Sequence, residues 1–145
     1  MEKKKKVLFL CTHNAARSQI AEGLMNSLLS EKYEAHSAGI EPTSVHPFAV
    51  TVMGEIGIDI SRNRSKSVDG FLNKDNSGRF LFDYVVTVCE HASEACPYFP
   101  NAQKILHQSF TDPASLDGTD AYKLEVFRKI RNEITEWLLR VFGEG

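Results

Sequence analysis

The apolar positions of this chain change period several times, and each change marks an element. Val7 to Leu10 is a short continuous apolar run, the pattern of a strand buried on both faces of a parallel sheet. From Ser18 the period lengthens: Ile20, Leu24 and Leu28 recur every four residues, flanked by Ala21, Met25 and Leu29, which predicts an amphipathic helix. Ala35 to Ser37, just before Gly39, reads as a second short strand. Pro47 opens a further helix carrying Val50, Met53 and Ile56 and closed by Gly57.

Tyr84 to Val88 is the strongest strand signal, β-branched and apolar, and it ends on Cys89. Lys104 to Leu106 predicts a last short strand. From about Asp120 a long helix carries Val126, Phe127, Ile130, Ile134, Trp137, Leu138 and Val141 on one face, a stripe expected in the core. The polar stretch from Asn73 to Arg79 holds a turn signal at Asn76 to Gly78 and reads as an exposed loop. Strands alternating with helices predict an α/β protein of three layers, with a central four-stranded, mainly parallel sheet flanked by helices. No repeat, linker or low-complexity stretch divides residues 1–145, so a single domain is expected.

Composition narrows the function classes. Hydrophobic residues make up 42% and charged residues 25%, as in an ordinary globular protein. The net charge is -2, from 17 Lys plus Arg against 19 Asp plus Glu, which gives no electrostatic case for nucleic acid or an anionic membrane as partner. The run Lys3 to Lys6 reads as a solvated start to the first strand. No apolar stretch approaches the ~18 residues of a membrane span, and the one after the lysines is too short for a signal peptide. A cytoplasmic protein is expected. Three cysteines, an odd number in a reducing compartment, argue for chemistry over a disulfide framework.

In parallel α/β sheets, sites form where strand C-termini turn into loops. Cys11 and Cys89 both stand at the ends of predicted strands. Cys11 opens the run Thr12, His13, Asn14, Ala15, Ala16, Arg17, Ser18, placed between a buried strand and a helix start. A strand-to-helix loop can curl so that successive N–H groups point inward and, with the helix N-terminus, hold an anion. A cysteine at the rim of that field is stabilised as its thiolate. Arg17 offers a planar fork for two oxygens of a tetrahedral anion. Ser18 can donate a hydrogen bond to the sulfur, and Asn14 can brace the loop.

Cys89 and Cys96 have six residues between them, Glu-His-Ala-Ser-Glu-Ala. Three readings compete: a soft metal site with Cys11, His13 and His91, two unrelated thiols, or a redox relay. Neither Cys-x-His nor Cys-x6-Cys has zinc-finger spacing, so no metal is expected. The relay reading fits the missing disulfide framework. The Ala and Ser content of Glu90 to Ala95 suits a marginal helix able to unwind, stopped at Cys96 by Pro97.

The first loop resembles the phosphate-binding loop of low-molecular-weight protein tyrosine phosphatases and of the arsenate reductases built on their fold. The likeness rests on Cys11-x5-Arg17-Ser18 followed by Gln19-Ile20-Ala21-Glu22-Gly23. It continues through Ser37-Ala38-Gly39, Gly57-Ile58-Asp59-Ile60-Ser61, Val85 to Cys89 and Asp112-Pro113-Ala114, nearly the whole chain. The cysteine pair resembles that of the thioredoxin-coupled arsenate reductases, which the phosphatases do not need.

That resemblance implies roles. Cys11 attacks arsenate; Cys89 attacks Cys11, expelling arsenite; Cys96 attacks in turn and moves the disulfide to the surface for thioredoxin. It further implies that Asp112 reaches over the loop and protonates the leaving oxygen, because hydroxide and alkoxide leave poorly. Phosphate or sulfate would mimic arsenate, and no cofactor is expected. Two other functions compete: phosphomonoester hydrolysis through a phosphocysteine at Cys11, and a non-enzymatic oxyanion-binding or redox-sensing module.

The chain departs from the pattern in places. Where related loops carry a glycine and a further cysteine, it has His13 and Ala16, or Ala15 depending on the branch. His13 either helps hold the thiolate or points to solvent. Ala114 stands where the phosphatase branch has an aromatic region after Asp-Pro. Some thioredoxin-coupled reductases bind potassium through an asparagine, a glutamate, a serine and an acidic residue. Asn14, Glu22 and Ser37 match the first three and Lys66 stands at the fourth, so the resemblance implies an ammonium in place of the cation.

Overall fold

The computed structural model describes residues 3–71, 82–89 and 102–143. Four strands form one sheet: β1 (Lys5–Cys11), β2 (Tyr33–Gly39), β3 (Phe82–Thr87) and β4 (Ala102–His107). All neighbouring pairs run parallel, in the order β2-β1-β3-β4. Helices α1 (Arg17–Leu28), α2 (Pro47–Gly54) and α3 (Asp120–Phe142) complete the frame, with short 3-10 turns at Val68–Phe71 and Pro113–Ser115.

Strand β1 shows why its sequence is uniformly apolar. Val7, Phe9 and Cys11 join the helices' buried side chains, whereas Leu8 and Leu10 join Val68, Phe82 and Val85 on the opposite face. Side chains alternate across a strand, so only a strand covered on both sides needs every position apolar. Each fully buried Leu or Phe there contributes about 1.5–3 kcal/mol by leaving water.

The helices differ from their apolar patterns in detail. In α1, Ile20, Leu24 and Met25 are buried, but Leu28 at the last position is exposed. In α2, the face against the core is Ala49, Val52 and Met53; Val50 is half-buried and Ile56, beyond the helix, is exposed. The helix ends early because Gly57, at φ 80°, turns the chain back. The Ile58 N–H then reaches the Met53 carbonyl and the Gly57 N–H the Gly54 carbonyl, a Schellman closure. Phe142 takes the core position in α3 that Val141, which is exposed, was expected to fill. Strands β2, β3 and β4 begin two residues earlier than their apolar signals, and β3 ends at Thr87. The stretches from Asn73 to Arg79 and from Glu90 to Ala95 lie outside the described residues. No helix among the described residues is long and apolar enough to cross a membrane.

The strand order fixes where a site can form. From β1 the chain passes through α1 to β2 on one side, while β3 pairs with the other side of β1. A crevice therefore opens at the C-terminal end of β1, where Cys11 sits.

Candidate active site

The loop from Cys11 to Arg17 is held from outside by its own carbonyls. The Thr12 carbonyl accepts from Glu41 N at 2.9 Å, the His13 carbonyl from Ser65 Oγ at 2.6 Å, and the Ala15 carbonyl from His46 N at 2.9 Å. Gln19 Nε2 donates to the Asn14 carbonyl at 3.2 Å. In a trans peptide the next residue's N–H points the opposite way, and no peptide bond among the described residues is cis. The amides of His13, Asn14, Ala15 and Ala16 thus turn inward, the geometry of a nest. Gly39 is the contact that lets the loop sit so close to β2, since a Cβ there would lie 2.6 Å from the Thr12 carbonyl oxygen.

Cys11 is a free, buried thiol. Its Sγ accepts from Asn14 N at 3.2 Å and lies 2.8 Å from Ser18 Oγ. The direction of that second bond follows from Asn14. Its Oδ1 must be the acceptor facing the Lys66 backbone N–H at 2.9 Å, so its Nδ2 donates to Ser18 Oγ at 2.7 Å. Ser18 is left to aim its own hydrogen at the sulfur. Asn14 adopts φ 52°, a left-handed conformation that asparagine tolerates better than most residues. Helix α1 starts at this point with no side chain capping its N-terminus, so its first amides also face the loop.

Arg17 is 2% exposed, yet it carries a full charge. Its Nη1 donates to the Phe110 carbonyl at 3.3 Å, and its Nη2 lies 3.7 Å from Asp112 Oδ2. The Asp112 carboxyl is partly exposed, and its Oδ1 accepts from Ala114 N at 3.0 Å. Arg17 of the loop and the acid, far apart in the chain, thus lie side by side.

A second layer ties the loop to the rest of the fold. Gln19 Nε2 donates to Asn14 Oδ1 and to the Arg64 carbonyl, both at 2.9 Å. Asn63 Nδ2 bridges Gln19 Oε1 and Glu22 Oε2, each at 3.1 Å. Ser37 Oγ donates to Glu22 Oε1 at 3.0 Å, and Lys66 Nζ lies 3.7 Å from that same oxygen. The Lys66 ammonium also donates to the Arg64 carbonyl at 3.0 Å, and its backbone N–H holds Asn14 Oδ1 at 2.9 Å. His13 turns away from the thiol, its Nδ1 bonded to the Glu41 carbonyl at 3.0 Å.

Sequence reading missed His46. Its backbone braces Ala15, its Nδ1 accepts from Phe48 N at 3.0 Å to cap α2, and its ring lies 4.8 Å from that of Phe127. Burial pushes its pKa below the usual value; the nearby Asp112 carboxylate opposes that, and Lys123 adds to it. The only sequence signal was the residue's place before Pro47.

Cys89 is fully buried just past the end of β3. The Val88 N–H donates to the Leu10 carbonyl at 2.9 Å, which places Cys89 beside the β1 end that carries Cys11. Cys89 is disulfide-bonded. Cys96, the third cysteine, lies outside the described residues, as does His91. Among the described residues no group of three or more His, Cys, Asp or Glu side chains gathers to hold a metal ion.

An inward-facing ring of amides, a buried guanidinium and a thiol at its base define a class: α/β proteins that hold a tetrahedral oxyanion against a cysteine sulfur. Residues 6–143 match the low molecular weight phosphotyrosine protein phosphatases, and the chain belongs to that family. It is similar to an arsenate reductase of Halalkalibacterium halodurans, 45% identical over 141 residues that span 97% of this chain and 96% of the relative. A solved arsenate reductase in its phosphate-binding state is 31% identical, with a TM-score of 0.74 over 97% of this chain and 98% of that one. The thioredoxin-dependent arsenate reductase of Corynebacterium glutamicum is 28% identical, with a TM-score of 0.66, covering 99% of this chain and 65% of that one.

Proposed function

We propose that this protein reduces arsenate to arsenite through a thiol relay and is regenerated by thioredoxin. The observation that carries the reading is the pairing of a free Cys11 under the oxyanion loop with a disulfide-bonded Cys89 at the end of the adjacent strand. Similarity to arsenate reductases, one of them thioredoxin-dependent, supports it.

Cys11 thiolate attacks the arsenic of arsenate, held by the inward amides and Arg17. Asp112 protonates the departing oxygen, which leaves as water, and a sulfur–arsenic(V) bond remains. Cys89 thiolate then attacks Cys11 Sγ. The sulfur–arsenic electron pair passes to arsenic, which leaves as arsenite, and a Cys11–Cys89 disulfide forms. Cys96 attacks Cys89, releasing Cys11 thiolate and leaving a Cys89–Cys96 disulfide that a thioredoxin dithiol reduces. The need for a two-electron supply from a thiol pool supports a cytoplasmic location.

Phosphomonoester hydrolysis is the second reading, favoured by the family itself and by the Arg17–Asp112 pair, which an ester's leaving oxygen would use equally well. One single-turnover experiment separates the two. Reduced protein is mixed with excess arsenate, free thiols are counted, and the disulfide is mapped by peptide mass. The relay predicts the loss of two thiols, a Cys89–Cys96 bridge and one arsenite per chain. Survival of all three thiols with brisk p-nitrophenyl phosphate hydrolysis would make the protein a phosphatase.

A further inference from the structure

Strand β4 does more than close the sheet, because the residues that follow it touch both halves of the site. Thr87 and His107 face each other at the last rung between β3 and β4. Thr87 Oγ1 lies 2.6 Å from His107 Nδ1, and His107 Nε2 lies 2.9 Å from Ser109 Oγ. Ser109 Oγ donates to the Cys89 carbonyl at 3.4 Å. Beyond Thr87 the backbone keeps its grip: Gln108 N donates to the Thr87 carbonyl at 3.0 Å and Phe110 N to the Val88 carbonyl at 3.3 Å. The same run then offers the Phe110 carbonyl to Arg17 and the Asp112 carboxyl to the loop.

The direction of the side-chain bonds is set at one end. A backbone carbonyl only accepts, so the Ser109 hydroxyl hydrogen goes to Cys89 and the Ser109 oxygen receives a hydrogen from His107 Nε2. Nδ1 of the ring makes the remaining bond, to Thr87 Oγ1. The imidazole, itself exposed, is a strut that links a buried threonine through Ser109 to the Cys89 carbonyl.

We infer that His107 is a positioning residue for the redox step, aligning Cys89 through Ser109 for attack on Cys11. The inference rests on the reading of Cys89 as the second thiol of the relay. Cys89 stands past the end of its strand, so the register of the sheet alone does not orient it. Attack on a sulfur that carries arsenic demands an in-line approach opposite the breaking bond, and a misplacement of about 1 Å costs up to ~10²-fold in rate. Capture of the oxyanion by Cys11, Arg17 and the inward amides does not use this strut.

The test compares two rates on the full chain: arsenite release in a single turnover and steady-state hydrolysis of p-nitrophenyl phosphate. His107→Ala and Ser109→Ala are expected to slow arsenite release about tenfold or more, with ester hydrolysis changed by no more than about twofold. His107→Gln, whose amide can reach Ser109, should recover much of the loss. His107→Asn, which keeps only the arm toward Thr87, should not. Arsenite release at the unmodified rate in both alanine variants, while Cys89→Ser abolishes it, overturns the inference and leaves the relay standing. A parallel fall of both rates also overturns it, by showing a general structural role. Arsenite release at full rate in Cys89→Ser removes the relay itself, and the inference with it.

Discussion

The Nη2 of Arg17 lies 3.7 Å from Oδ2 of Asp112, while its Nη1 is bound to the Phe110 carbonyl two residues before that acid. One short run therefore anchors the Arg17 fork and supplies the carboxyl beside it. Under the proposed mechanism the proximity suits an acid that acts on an anion held by the arginine.

Asp112→Asn keeps the shape and removes the proposed proton source. Turnover of p-nitrophenyl phosphate should fall by about 10²-fold or more. Competitive inhibition by inorganic phosphate should be as tight as before or tighter, because a negative charge beside Arg17 is gone. Inhibition weakened in step with turnover would mean that Asp112 only holds the arginine in place.

Gly39→Ala tests how the loop is seated. The added Cβ would meet the Thr12 carbonyl oxygen at 2.6 Å and the Asn14 nitrogen at 2.8 Å, and neither backbone atom can swing aside. The loop must shift, disturbing the amide nest. Phosphate should bind at least tenfold more weakly, by about 1.4 kcal/mol, with the far-ultraviolet circular dichroism unchanged.

Lys66 bears on cation dependence. Its ammonium lies 3.7 Å from Glu22, the carboxylate that also accepts from Ser37, and puts a positive charge there. Exchanging sodium for potassium at constant ionic strength should leave the arsenate KM and kcat unchanged. Lys66→Ala leaves the Glu22 carboxylate without that partner, and activity should then respond to added potassium. Potassium activation of the unmodified protein would refute this account.

His46 predicts a pH effect on stability. Its folded-state pKa lies below its ordinary value of 6.5, chiefly because burial disfavours the imidazolium. The unfolded chain then binds more protons as acidity rises, so the stability contribution is present above pH 6.5 and is lost as pH falls through the folded value. Protonation of Nδ1 would also remove the acceptor that caps α2. Chemical denaturation midpoints should decline between pH 7 and 5, and His46→Asn, which can still cap, should flatten that decline. An unchanged slope in the variant would assign the loss to other groups.

Much of this protein is written locally. The all-apolar Val7 to Leu10 announces a doubly covered strand, the four-residue period from Ile20 a helix, and the run from Cys11 to Ser18 a strand-to-helix loop. These signals are legible because strand alternation, helical period and a strand-to-helix loop are properties of adjacent residues. What the chain alone left open was which distant groups complete each local feature. His13 had two possible roles until the Glu41 carbonyl claimed its ring, and the turn at Gly57, which ends α2 at Gly54, left Ile56 outside the expected stripe. Asn14 takes its left-handed φ because Gln19 and Lys66 hold its amide, and Arg131 of α3 takes the Val52 carbonyl near the end of α2. His46 and His107 gain their places only from what packs against them. Backbone carbonyls and buried polar groups must find partners wherever the fold brings them, so period and motif determined the elements and the loop, and tertiary contact decided which side chains hold them in register.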